Sequence, residues 1–187
     1  ADLYNLRGNA KSDLGDYQGA LKDLDKVLEA DPQDADAYYN RGIAKGGLGD
    51  YQGAIADYSK AIDINPKEYS AYTTRGITKG GLGDYQGEIA DYSKAIDINP
   101  NYDLAYKFRG IAKRKSGDYK GAMNDLEKAL EINPERKETS KELDIANFLQ
   151  ELNVDVVDSK GDEEKTVIKI AKELETGESK SDEEEIF

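Results

Sequence analysis

Between Tyr51 and Ile62 a set of apolar side chains falls at Tyr51, Ile55, Tyr58, Ala61 and Ile62. Steps of three and four residues place them on one face of a helix. The stretch that carries this pattern, RGIAKGGLGDYQGAIADYSKAIDINP from Arg41 to Pro66, returns almost unchanged from Arg75 to Pro100. Looser copies run from Arg7 to Pro32 and from Arg109 to Pro134. Gly8, Gly42, Gly76 and Gly110 are each 34 residues apart, as are Pro32, Pro66, Pro100 and Pro134. A fixed period of this length predicts a solenoid of stacked units rather than one globular core.

Counting each unit from 1 to 34 divides the chain into 1–34, 35–68, 69–102 and 103–136. Positions 1 to 14 predict one helix, a Gly-Asp-Tyr corner breaks it, and positions 17 to 31 predict a second. Asp16, Asp50, Asp84 and Asp118 are placed to cap the second helices, because a short carboxylate can accept from orphan amides. Gly42, Ala54 and Ala61 are small enough to let paired helices approach closely. Pro66 cannot continue a helix, so the chain turns and begins again. One such hairpin cannot bury its apolar face alone, whereas four stacked copies can.

The recurring pattern is aromatic at 4, Gly at 8, Gly-Asp-Tyr at 15 to 17, small at 20, large apolar at 24, small or apolar at 27 and Pro at 32. It closely resembles the tetratricopeptide repeat, over residues 1–136. The resemblance implies an all-α, right-handed superhelical solenoid of helix-turn-helix repeats. It also implies a concave groove lined by positions 2, 5, 6, 9, 12 and 13 of each first helix. Repeats 2 and 3 agree at 26 of 34 positions. Part of the groove changes while the frame stays constant: Asp36, Tyr39 and Asn40 stand against Ser70, Thr73 and Thr74. Repeat 4 offers Leu104, Lys107, Phe108, Ile111, Arg114 and Lys115. The expected partner-binding set is therefore Asn9, Tyr39, Asn40, Thr73, Thr74, Lys107, Phe108, Arg114 and Lys115. The alternative is drift on a solvated helix face. Some members of the family hold an acidic chaperone C-terminus with five residues at fixed repeat positions. Asn9 and Asn40 match two of them, but Asn5, Ser70 and Thr74 replace all three cations. That leaves no charge complement to a dicarboxylate.

Three departures from the family pattern carry further expectations. Position 7 is Arg7, Arg41, Arg75 and Arg109, and position 11 is Lys11, Lys45, Lys79 and Lys113. Position 23 is Asp23, Asp57, Asp91 and Asp125, so an ion-pair ladder is expected within or between repeats. Gly46-Gly47 and Gly80-Gly81 remove side chains from two groove positions and are expected to leave the wall open. Position 20 is Ala20, Ala54 and Ala122 but Glu88 in repeat 3, where Thr78 is expected to meet its carboxylate.

Residues 137–152 carry Leu143, Ala146, Phe148, Leu149 and Leu152 and predict a helix that caps the array. Residues 153–187 read as an acidic tail with one possible helix at 162–175. Net charge is −13, of which −4 lies in residues 1–136 and −9 in residues 137–187. Neither part forms the basic stripe of a nucleic-acid binder. Without Cys or His, the chain lacks thiol nucleophiles, zinc-ligand clusters and imidazole acid-base groups. GGLGDYQG does not match the spacing of a phosphate or dinucleotide loop. No cofactor or metal is expected, and no enzyme activity. No apolar run approaches a membrane span. The absence of Cys fits a reducing compartment such as the cytoplasm, and a first residue already inside a helix suggests a trimmed start. The expected function is a scaffold or adaptor whose groove binds a protein or peptide partner, acidic on account of Lys107, Arg114 and Lys115. The alternative is an architectural, self-associating protein that uses the array's ends and tail.

Overall fold

The computed structural model describes the backbone of residues 2–158 and the side chains of residues 3–151. Among the described residues there are nine helices and no strand. They are α1 (Asp2–Asp13), α2 (Tyr17–Ala30), α3 (Ala35–Gly47), α4 (Tyr51–Ile64), α5 (Tyr69–Gly81), α6 (Tyr85–Ile98), α7 (Asp103–Lys115), α8 (Tyr119–Ile132) and α9 (Lys137–Asp158). Each odd helix packs on the even helix that follows it, and each hairpin packs on the next. The chain is an all-α solenoid.

Local chemistry sets each hairpin. Asp16, Asp50, Asp84 and Asp118 each accept at 2.9 Å from the amide three residues on, capping the second helix. Gly15, Gly49, Gly83 and Gly117 have φ between 80° and 87°, a left-handed conformation that ends the first helix and that a side chain would strain. Position 8 must be small because position 24 lies on it. A β-carbon at Gly42 would stand 2.5 Å from the Tyr58 ring, and one at Gly8 2.9 Å from Leu24. Those position-24 side chains, Leu24, Tyr58, Tyr92 and Leu126, are all but sealed from water. Position 3 forms the joint between hairpins: Ala37, Ala71 and Ala105 are fully buried.

Contacts also join α1 to α3, α5 to α7 and α7 to α9. The first helices therefore stand side by side along the inner face. α9 does not stop at Leu152 but continues to Asp158. No Gly or Pro interrupts 153–158, so nothing there breaks it. The possible helix at 162–175 and the tail's end lie outside the described residues.

Candidate functional site

The repeated charges form the expected ladder, with more members than a simple pair. Arg7, Arg41, Arg75 and Arg109 each donate through Nε and Nη2 to both oxygens of Asp23, Asp57, Asp91 and Asp125, at 2.6 to 2.9 Å. Lys11, Lys45, Lys79 and Lys113 reach the same carboxylates at 2.7 to 2.8 Å. Nη1 of three of these arginines reaches back to the preceding hairpin. Arg41 donates to Asp25, Arg75 to Ser59 and Arg109 to Ser93. The ladder thus runs within each repeat and also stitches neighbours together. Hydrogen bonds from Arg7 and then Lys11 hold the Asp23 carboxyl far below the usual range, against the opposing effect of its burial. Position 4, which the charge pattern alone did not implicate, completes the unit. Tyr38, Tyr72 and Tyr106 lie under Arg41, Arg75 and Arg109 at 5.4 to 5.7 Å. The i,i+3 spacing of Tyr and Arg was the available signal.

On the inner face, neighbouring repeats bond to each other. Asn40 Nδ2 donates to Asn5 Oδ1 at 3.0 Å, and the hydroxyls of Tyr39 and Thr74 meet at 3.1 Å. A cavity of about 470 Å³ lined by Asn5, Leu6, Asn9, Asp36, Tyr39 and Asn40 opens between α1 and α3. A smaller one of about 150 Å³ follows it along Asn9, Ser12, Asp13, Asn40 and Ile43. Position 9 carries Ile43, Ile77 and Ile111 in successive repeats, with Ile77 47% exposed. Asn9, Tyr39, Asn40 and Thr74 therefore share one face. Thr73 is buried, its hydroxyl donating to the Tyr69 carbonyl.

The far end is arranged differently from the basic-aromatic surface that the residue types suggest. Lys107 donates to Glu138 of α9 at 2.7 Å, and Arg114 pairs with Glu142 at 3.2 Å. Both cations are nearly buried. Phe108 stacks on Tyr92, centroids 5.8 Å apart. Of the three cations only Lys115 is exposed. Glu138 and Glu142 are four residues apart, as two contacts from one helix face require. They are the partners that reasoning on repeats 1 to 4 alone passed over.

The glycine pairs do not open the wall uniformly. A β-carbon at Gly47 would overlap the Tyr17 ring at 2.4 Å, and one at Gly80 would overlap the Glu88 carboxylate at 2.4 Å. Gly81 has nothing within 4 Å, and at Gly46 the nearest atoms lie at 3.9 and 4.0 Å. Glu88 takes its hydrogen bond from Tyr92 at 3.0 Å rather than from Thr78, whose hydroxyl donates to the Thr74 carbonyl. In a helix interior that backbone acceptor lies within reach of the threonine itself, so it outcompetes a carboxylate on the facing helix. Burial raises the Glu88 pKa, opposed by the Tyr92 bond and by Lys115, while Asp84 adds to the rise.

Among the described residues no helix is long and apolar enough to cross a membrane. No curated protein matches the chain by sequence. Solved structures do. One titled "Crystal structure of MamA" is 25% identical, with TM-score 0.73, covering 93% of this chain and 97% of that one. MamA 41-end from Desulfovibrio magneticus RS-1 is 22% identical, with TM-score 0.73, covering 95% and 96%, a likeness of fold. The first tetratricopeptide domain of Spaghetti (RPAP3), bound to the HSP90 peptide SRMEEVD, is 28% identical, with TM-score 0.61, covering 66% of this chain and 96% of that one. Three tetratricopeptide repeat models match residues 5–71, 69–102 and 104–136. Together with the helical hairpins and their 34-residue period, these matches show that the chain belongs to the tetratricopeptide repeat family.

Proposed function

We propose that the protein is a non-catalytic interaction scaffold whose inner face holds a segment of a partner protein. The observation that carries this reading is the run of side chains from Asn9 through Tyr39 and Asn40 to Thr74 beside a cavity of about 470 Å³. The Asn40 amide and the Tyr39 and Thr74 hydroxyls are held by bonds between repeats, so little ordering of them is left for binding to impose. Asparagine amides can both donate to and accept from a peptide main chain. The peptide-bound tetratricopeptide domain of Spaghetti (RPAP3) supports the reading by likeness.

Selecting displayed random peptides against the whole chain tests it. Binders should lose at least tenfold in affinity to Asn9→Ala/Asn40→Ala, with the thermal midpoint little changed. Binders indifferent to that pair of changes would move the site off this face.

A second reading, self-association through the first hairpin, has one observation behind it. Position 3 is fully buried as Ala37, Ala71 and Ala105, whereas Leu3 is 76% and Leu6 67% exposed. Light scattering of the chain and of Leu3→Ser separates the two readings. A dimer lost in that variant favours the second, and an unchanged monomer rejects it.

A further inference from the structure

The polarity of the groove points to the kind of segment it takes. Three cavities lie along α1, α3, the end of α4 and the start of α5, and among the described residues no Lys or Arg lines any of them. Their charged lining residues are Asp13, Asp36 and Glu68, with Asp36 shared by two cavities. Glu68 accepts from the Ser70 amide and hydroxyl. Among the described residues neither Asp13 nor Asp36 takes part in an ion pair, and both are exposed. Five first-helix cations are held elsewhere: Lys11, Lys45 and Lys79 by the ladder aspartates, Lys107 and Arg114 by α9. An acidic segment lying across repeats 1 to 3 would therefore meet carboxylates without a counter-charge. A cationic one would meet Asp13 and Asp36, and its aliphatic side chains would meet Leu6, Ile43 and Ile77.

We propose that the groove across repeats 1 to 3 takes a basic, extended polypeptide segment, with Lys or Arg alternating with aliphatic residues. The proposal rests on the groove reading above and reverses the polarity that the cations of repeat 4 suggest in the sequence. Alternation follows from extended-chain geometry, in which successive side chains point to opposite sides. One set packs on the isoleucine line while the other reaches the carboxylates, and the main chain passes over Asn5, Asn9 and Asn40. Contacts with exposed carboxylates are screened by salt, so they supply preference rather than most of the affinity.

The test uses the full chain, labelled for amide NMR, and three blocked nonapeptides in which Leu alternates with Lys, Gln or Glu. The Lys peptide should shift amides of α1, α3 and α5, bind tighter than the Gln peptide, and the Gln peptide tighter than the Glu peptide. Asp13→Asn/Asp36→Asn should reduce the Lys-over-Gln preference by about two- to fivefold, the size of exposed ion pairs. Added salt should reduce the same preference. Equal or tighter binding of the Gln or Glu peptide at these amides would overturn the basic preference and leave the groove standing. Shifts confined to 153–187 would assign the Lys peptide to the acidic tail and overturn the proposal. No inner-face shift with any peptide would overturn the groove reading itself.

Discussion

At the scale of single residues, Glu88 shows how a misfit is tolerated. The other repeats keep Ala at position 20, fully buried at Ala20, Ala54 and Ala122. Glu88 has room for its carboxylate because position 12 is Gly80. Its bond from Tyr92 offsets the loss of water only in part, and burial is the largest influence on its pKa, which rises. A carboxyl whose folded pKa is raised binds its proton more tightly in the folded state. Stability is therefore highest below the unfolded value and falls as pH rises through the folded one. Glu88→Gln keeps the acceptor for Tyr92 and removes the charge. Its thermal midpoint should exceed the parent's at pH 7, and the difference should close as pH falls towards 4. A midpoint below the parent's at pH 7 would mean that Lys115 and Tyr92 already stabilise the anion.

At the scale of the element, identical sequence does not mean identical surroundings. Repeats 2 and 3 share GGLGDYQG at Gly46–Gly53 and Gly80–Gly87, yet Gly47 receives the Tyr17 ring from repeat 1 whereas Gly81 faces open space. Alanine in place of helical glycine gains up to about 1 kcal/mol. Gly81→Ala should raise the stability of the chain by that order. Gly47→Ala should show no such gain, because the Tyr17 ring must leave its place. Chemical unfolding of the two variants checks this, and equal gains would show that the ring moves aside without cost. The ladder belongs to the same scale. Each Asp at position 23 is nearly buried under two cations, so its value lies in fixing how two helices meet rather than in the sum of exposed pairs.

At the scale of the whole molecule the array is nearly one-dimensional, each hairpin among the described residues packing chiefly on its neighbours. Stability should then decline from the middle outward. Amide exchange should be slowest in α4 to α6 and faster in α1, whose Leu3 and Leu6 lack the cover given to inner repeats. At the other end α9 supplies that cover: Ala146 is fully buried and Leu143 packs beside Ala122 and Leu126. Glu142→Gln should quicken exchange in α7 and α9 without altering α3. Uniform exchange from α1 to α8 would instead mark the array as a single cooperative unit.

The period, the hairpins, the aspartate caps and the pairing of position 7 with position 23 were all legible in the sequence. Each depends on residues close along the chain or on a register repeated four times, and repetition turns a weak local signal into a strong one. That Asn9, Tyr39, Asn40 and Thr74 share one face was legible for the same reason, since position within a helix fixes direction. The surroundings of Lys107 and Arg114 were not. Lys107 and Arg114 read as ligand-binding cations until α9 brings Glu138 and Glu142 onto them, and no periodic rule links a repeat to the helix that ends the array. Likewise only packing decided that Tyr17 closes Gly47 while Gly81 stays open, and that Glu88 is met by Tyr92 rather than Thr78. Local spacing fixes which way a side chain points; which partner arrives there depends on how the helices pack.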